Sequence, residues 1–293
     1  MPCHREPAVA GLFYPASRDE CAREVERCFA GASVPPGTRA VAAVAPHAGW
    51  IYSGATMALS ILALEPADPD TVLLFGADHH GILRRAAAVY PGGSWQTPLG
   101  EVQVDGDVAR TLLEERPRNV QSSEEAHAPE HSLEVIVPFL QVRMPRARIV
   151  PILVPPGIGA EEVGKAAVRA ALALGRRTVA IGSSDLTHYG ARYGFVPKGL
   201  GTPAHLWSKR ENDREILDRV LALDSSGVEE SFRRRQNACG PGAMAAAAAA
   251  ARVLGATRGV LLDHTTSAEV MGEAEPETWV GYAAVAWVAW GRS

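Results

Sequence analysis

The chain reads as an α/β protein, with a single three-layer α/β/α domain over residues 1–293 built around a mixed, largely parallel sheet. Three observations predict this. Short apolar runs recur along the chain, helical segments lie between many of them, and no low-complexity linker divides the sequence. Apolar residues make up 47% of the 293, enough to bury a sizeable core.

In chain order, "ECAREVERCFAGA" is an amphipathic helix with Cys21, Val25 and Cys28 on one face and Gly31 near its end. "AVAAVA" (40–45) follows as a buried strand, then a helix over about 54–65 and the strand "TVLLFG" (71–76). Helical patterns over 106–115 and 131–142 lead to "RIVPILV" (148–154). A helix over 160–174 leads to "TVAIG" (178–182), and one over 208–222 precedes the alanine-rich "AMAAAAAAARVLG". Alanine is the best helix former, so this last stretch is a close-packed helix over 242–254. "RGVLL" (258–262) and "VGYAAVAWV" (280–288) complete a set of six near-continuous apolar runs, all expected as buried parallel strands.

Composition narrows the function classes. A net charge of −4 argues against a basic nucleic-acid footprint. "MPCHREPAVAGLFYP" has no apolar signal region, and no apolar run reaches the ~20 residues of a membrane span. Cys3, Cys21, Cys28 and Cys239 are scattered without a CxxC pair, so reduced thiols and a cytoplasmic location are expected, with no membrane and no nucleic acid as partner. Neither a P-loop nor a dinucleotide fingerprint occurs.

The strand ends carry the chemistry. His47 follows the first strand in "APHAGW", His79 and His80 follow the second in "GADHHG", and Asp185 and His188 follow another in "GSSDLTHYG". In open α/β sheets these ends form the ligand-binding rim. Three of them delivering histidine from distant parts of the chain point to a shared site. Cys239 adds a fourth element in "NACGPGAM", where Pro241 suits a first helical turn and Gly255 the helix end. The positive end of that helix is expected to favour the thiolate, the form that ligates metal. Two neutral imidazoles and one anion leave open coordination positions, the layout of non-haem Fe(II) oxygenases, while a thiolate brings copper and zinc into competition. His188 has the intrinsic acidity to move protons near neutral pH, and Asp185 could orient it or hold water.

Weaker candidates are ranked by pattern. In "HAPEH", Pro129 spoils helical spacing between His127 and His131, so this is not a metalloprotease motif; His131 is kept as a pocket residue. His127 and His264 are expected at the surface or behind the site, and His4 and His205 at the surface. "RRRQ" (233–236) reads as a solvated face.

Together "REPAVAGLFYPAS", "APHAGWIYSG", "GADHHG", "TPLGEVQVD", "EHSLEVIVPFLQ", "IGSSDLTHYG", "ACGPGA" and "VGYAAVAW", in this order, resemble the Memo family over nearly the whole chain. Prokaryotic members are the B component of the AMMECR1–Memo–radical SAM system. The resemblance implies a fold similar to class III extradiol dioxygenases of the LigB type. It implies one divalent metal, iron(II) favoured with copper or zinc as alternatives, on His47, His79 and Cys239. Asp185 and His188 would stand beside the metal, with His188 as acid/base. It also implies a redox or dioxygenase-like role on a small organic substrate, with AMMECR1-like and radical SAM proteins as partners. The other reading is a binding module for an anionic or phosphorylated ligand or partner protein; a zinc hydrolase on the same ligands is a third. Trp50 stands where tyrosine is usual, and "GADHH" replaces the commoner "GPNH" or "GPSH". Trp50 and His80 are therefore kept as pocket candidates.

Overall fold

The computed structural model describes residues 3–115 and 119–289. Its strands are β1 (His4–Arg5), β2 (Ala40–Ala45), β3 (Thr71–Gly76), β4 (Ala87–Val89), β5 (Ser94–Thr97) and β6 (Gly100–Gln103). They continue with β7 (Val120–Ser122), β8 (Arg148–Leu153), β9 (Thr178–Ser183), β10 (His188–Tyr189), β11 (Ala256–Thr266) and β12 (Trp279–Ala289). Strands β1, β5 and β6 form a small sheet of their own. The large sheet has a parallel heart in the order β2-β9-β3-β8. Antiparallel neighbours flank it: β4 on β8 at one side, β12 on β2 at the other, with β11 beyond β12.

Alternation along the central strands sorts their side chains to two faces, as the period of two requires. Ala42, Val44, Leu73, Phe75, Val150 and Ile152 pack on one side, with the helices Ala160–Ala173 and Pro241–Val253. Ala43, Ala45, Val72, Leu74, Ile149 and Ile181 pack on the other, with the helices Arg18–Phe29 and Trp50–Leu64. The three-layer α/β/α expectation is met. The alanine-rich helix has a geometric reason: a side chain at Gly164 would overlap the Ala246 carbonyl, so the two helix backbones touch. Larger residues on Pro241–Val253 would force them apart.

The four central runs form the expected parallel strands. The last two, 258–262 and 280–288, do not: β11 and β12 are antiparallel to each other, and β12 is antiparallel to β2. The connection between them contains the helix Ser267–Met271 and returns the chain alongside β11 in the opposite direction. Their apolar runs resemble parallel strands because β12 is buried on both faces. The expected helix over 131–142 is a 3₁₀ turn at Glu134–Ile136 continuing into Val137–Arg143, with Pro138 in its first turn. The 208–222 helix opens as a π turn, Ser208–Asn212, before Asp213–Leu221.

A buried ion pair fixes the N-terminal segment. Glu134 accepts from Arg5 Nη2 at 2.7 Å, from the backbone N–H groups of Ala8 and Val9 at 2.7 and 2.9 Å, and from Tyr14 Oη at 2.8 Å. Arg5 also donates to the carbonyls of His127 and Glu130 and lies over the Trp95 ring. This holds the 9–14 turn in place and with it Phe13, which lines the cavity described next.

Candidate metal centre

His47 lies two residues beyond β2, where the strand has left the sheet and its side chain faces the rim. It is buried. Its Nδ1 is 2.8 Å from Ser183 Oγ, and Ser183 Oγ donates to the Ser132 carbonyl at 2.6 Å. The serine proton is thus committed, so Nδ1 must be the N–H donor. Nε2 is left with its lone pair directed into the site. Burial, then the neighbouring His79, His131 and His188, keeps the ring well below the usual histidine range and therefore neutral.

His79 follows β3. Its backbone N–H donates to Glu130 Oε2 at 2.7 Å, and its Nδ1 meets Glu130 Oε1 at 2.9 Å. Glu130 is buried and also accepts from the Ser132 N–H. Burial opposes a charge on His79, but hydrogen bonding to Cys239 and Glu130 outweighs it and raises its pKa to about 10. The ring of His131 stacks on that of His79 at 4.6 Å; burial, and then His79, lowers its pKa to about 4.

Asp185 follows β9 and accepts the backbone N–H of His47 at 2.7 Å. Burial raises its pKa to about 7. Its own N–H donates to Cys239 Sγ at 3.2 Å, and that sulfur lies 3.0 Å from His47 Nε2. Gly240 permits this: a side chain there would strike the Ser183 carbonyl and push the loop off β9. The helix Pro241–Val253 starts immediately after it. The expected preference for thiolate at this helix end does not hold. Burial pushes the Cys239 thiol up, and its hydrogen bond to His79 only partly offsets this. Metal would have to displace the thiol proton.

Among the described residues, two groups of three side chains each bring their donor atoms within 4.8 Å of one another: His47, His79 and His131, and His47, Asp185 and Cys239. His47 belongs to both. Together they bring the expected ligands His47, His79 and Cys239 to one place, with His131 and Asp185 alongside. Above them opens a cavity of about 820 Å³ whose lining includes His188, Tyr193, Tyr282 and Trp279. His188 Nε2 is shielded from solvent, lacks a hydrogen-bond partner and stands 3.9 Å from Asp185 Oδ2. Burial, then the neighbouring His79 and His131, lowers its pKa to about 4, so it is a neutral base.

A family model described as "Memo-like protein" matches residues 5–286. The chain belongs to the Memo family. It is 39% identical to a MEMO1 family protein of Thermococcus kodakarensis, over 96% of this chain and 98% of that one. The figures are 38% for relatives in Pyrococcus abyssi and in Methanosarcina barkeri, at the same coverage.

In this Memo protein several expected residues stand elsewhere. Trp50 is buried in the core, stacked on Tyr14 with Nε1 donating to the Val135 carbonyl, and does not line the cavity. His80 is exposed, and its Nε2 meets the Pro129 carbonyl. The glycine after it turns the loop outward, so only the first histidine of the pair faces the donors. His127, expected at the surface or just behind the site, is fully buried among Tyr90 and Trp95. His205 is buried too, hydrogen-bonded to Thr266. His4 is partly exposed, as expected, and His264 is half-buried against Asp213.

Sequence reasoning passed over Glu130, Ser132 and Ser183. Glu130 could have been found from its place beside His131 in a loop, since ligating histidines are commonly oriented by a carboxylate. Glu130→Gln should leave the fold intact but weaken metal binding about 10–100-fold, because Nδ1 of His79 loses its anionic partner. Metal titration of the refolded apo-protein measures this; unchanged affinity would show that His79 is not oriented through Glu130.

Proposed function

We propose that this Memo protein is a mononuclear metal protein, of the non-haem iron kind, that performs dioxygenase-like redox chemistry on a small organic substrate. The observation that carries the reading is the fixed tautomer of His47, whose free Nε2 belongs to both groups of donors. The residues fit an ion. Within each of the two groups the donors already lie within 4.8 Å of one another, so side-chain adjustment would bring them onto one ion. His47, His79 and Cys239 would hold it, with Asp185 and His131 beside them. Two imidazoles and a sulfur suit iron(II), copper or zinc. Bound iron would supply one-electron redox capacity at the cavity floor. The protein's own part is to aim the donors, to exclude water with the cavity walls and, through neutral His188, to take a proton from the substrate. AMMECR1-like and radical SAM partners and a cytoplasmic location complete the proposal; no helix among the described residues is long and apolar enough to cross a membrane.

An anionic ligand is the less favoured occupant. The cavity lining holds Glu273, Glu275 and Glu277 against one arginine, Arg192. The deciding experiment is metal analysis of protein purified without oxygen, followed by O2 uptake after Fe(II) loading. Protein that retains no stoichiometric metal under those conditions would overturn the reading. His188→Ala should keep metal affinity within about tenfold while abolishing turnover, since its ring serves the substrate rather than the ion. Loss of metal in that variant would make His188 a ligand instead.

A further inference from the structure

The cavity has a chemical bias that the metal donors do not explain. Its walls carry five aromatic side chains, those of Phe13, Tyr52, Tyr193, Trp279 and Tyr282. One short stretch, 273–277, places three glutamates on its lining, all exposed and none in an ion pair among the described residues. The one arginine on the lining, Arg192, lies over the Tyr193 ring at 5.2 Å. A cation thus already rests on this aromatic wall. Ring faces attract cations and carboxylates pair with them, so the wall and the glutamates select the same charge. Deeper in, the ring of His188 lines the cavity, with its Nε2 shielded from solvent and without a hydrogen-bond partner among the described residues.

From this we infer that the cavity selects organic cations: small molecules with a planar apolar body and a protonated amine, the amine at the glutamates and the ring between the tyrosines. The inference rests on the cavity being a substrate site and narrows its substrate class; Glu273, Glu275 and Glu277 become specificity-determining residues.

Three probes of one shape and different charge test it: 2-phenylethylamine, 2-phenylethanol and 3-phenylpropionate. Binding is measured by calorimetry on both metal-free and Fe(II)-loaded protein. The amine should bind about tenfold more tightly than the alcohol, and the carboxylate more weakly than either. The preference should shrink at about 0.5 M salt, where exposed charges are screened. The combined variant Glu273→Gln, Glu275→Gln, Glu277→Gln should level the amine and the alcohol while its metal content stays unchanged. Equal or tighter binding of the carboxylate overturns the inference. So does an amine preference that survives in the triple variant, or a lack of binding by all three probes at about 10 mM. Metal-free protein that prefers the amine upholds it even where O2 uptake fails. O2 uptake without any cation preference upholds the functional reading alone.

Discussion

Cys239→Ala is expected to release most of the metal while the fold survives. The thiol is the only soft, ionisable donor in contact with His47 Nε2, and removing it leaves imidazoles beside a carboxyl group that is itself reluctant to ionise. Replacing groups that merely orient a ligand costs about 10–100-fold in affinity, so loss of a ligand should cost at least that. Stability should change little, because the side chain is small and sits at the rim. Cys239→Asp restores an anionic oxygen donor. It should recover part of the iron affinity, with copper and zinc retention falling relative to iron. Metal content and competition for the three proteins, with circular dichroism as folding control, decide the matter. Full metal occupancy in Cys239→Ala would remove Cys239 from the site.

Glu134→Ala should have the largest effect on stability. The substitution leaves the Arg5 guanidinium buried without its counter-charge, and strips partners from two backbone N–H groups and the Tyr14 hydroxyl. Breaking one side of a buried pair typically costs about 3–5 kcal/mol. For a chain of this size that should lower Tm by about 5–15 °C. The double variant Arg5→Met, Glu134→Leu should recover part of the loss, because it removes both charges. Urea denaturation of the three proteins measures this. A change under about 1 kcal/mol for Glu134→Ala would mean that the pair contributes nothing beyond its packing.

The parallel strands were legible in the sequence because a strand buried on both faces has no polar alternation to disguise it. Strand direction was not: β12 is as apolar as β3, yet it runs antiparallel to both β11 and β2. The strands β4, β5, β6 and β7 are too short to carry a pattern. At the site, the residues whose own chemistry is distinctive were legible. His47, His79, Asp185, His188 and Cys239 stand at strand ends or beside a helix start, and the fold draws them together. The residues that act through others were not. Glu130 and Ser183 look like ordinary loop polar residues until the fold brings them to the δ nitrogens of His79 and His47. Trp50 misled because its neighbours in sequence, Gly49 and Tyr52, do line the cavity, while the helix beginning at Trp50 turns its own ring into the core.

The contacts that build the centre span long stretches of chain. His47 and Cys239 are 192 residues apart, and His47 reaches Ser183 across 136. No local fragment contains enough donors to capture an ion, so the unfolded chain offers metal little to hold. Closing such large loops is slow and comes late in folding. A metal held at this centre would therefore act on the finished structure and would stabilise it by mass action. Such an ion would shift the balance between folded and unfolded chain, while the time taken to fold belongs to the sheet.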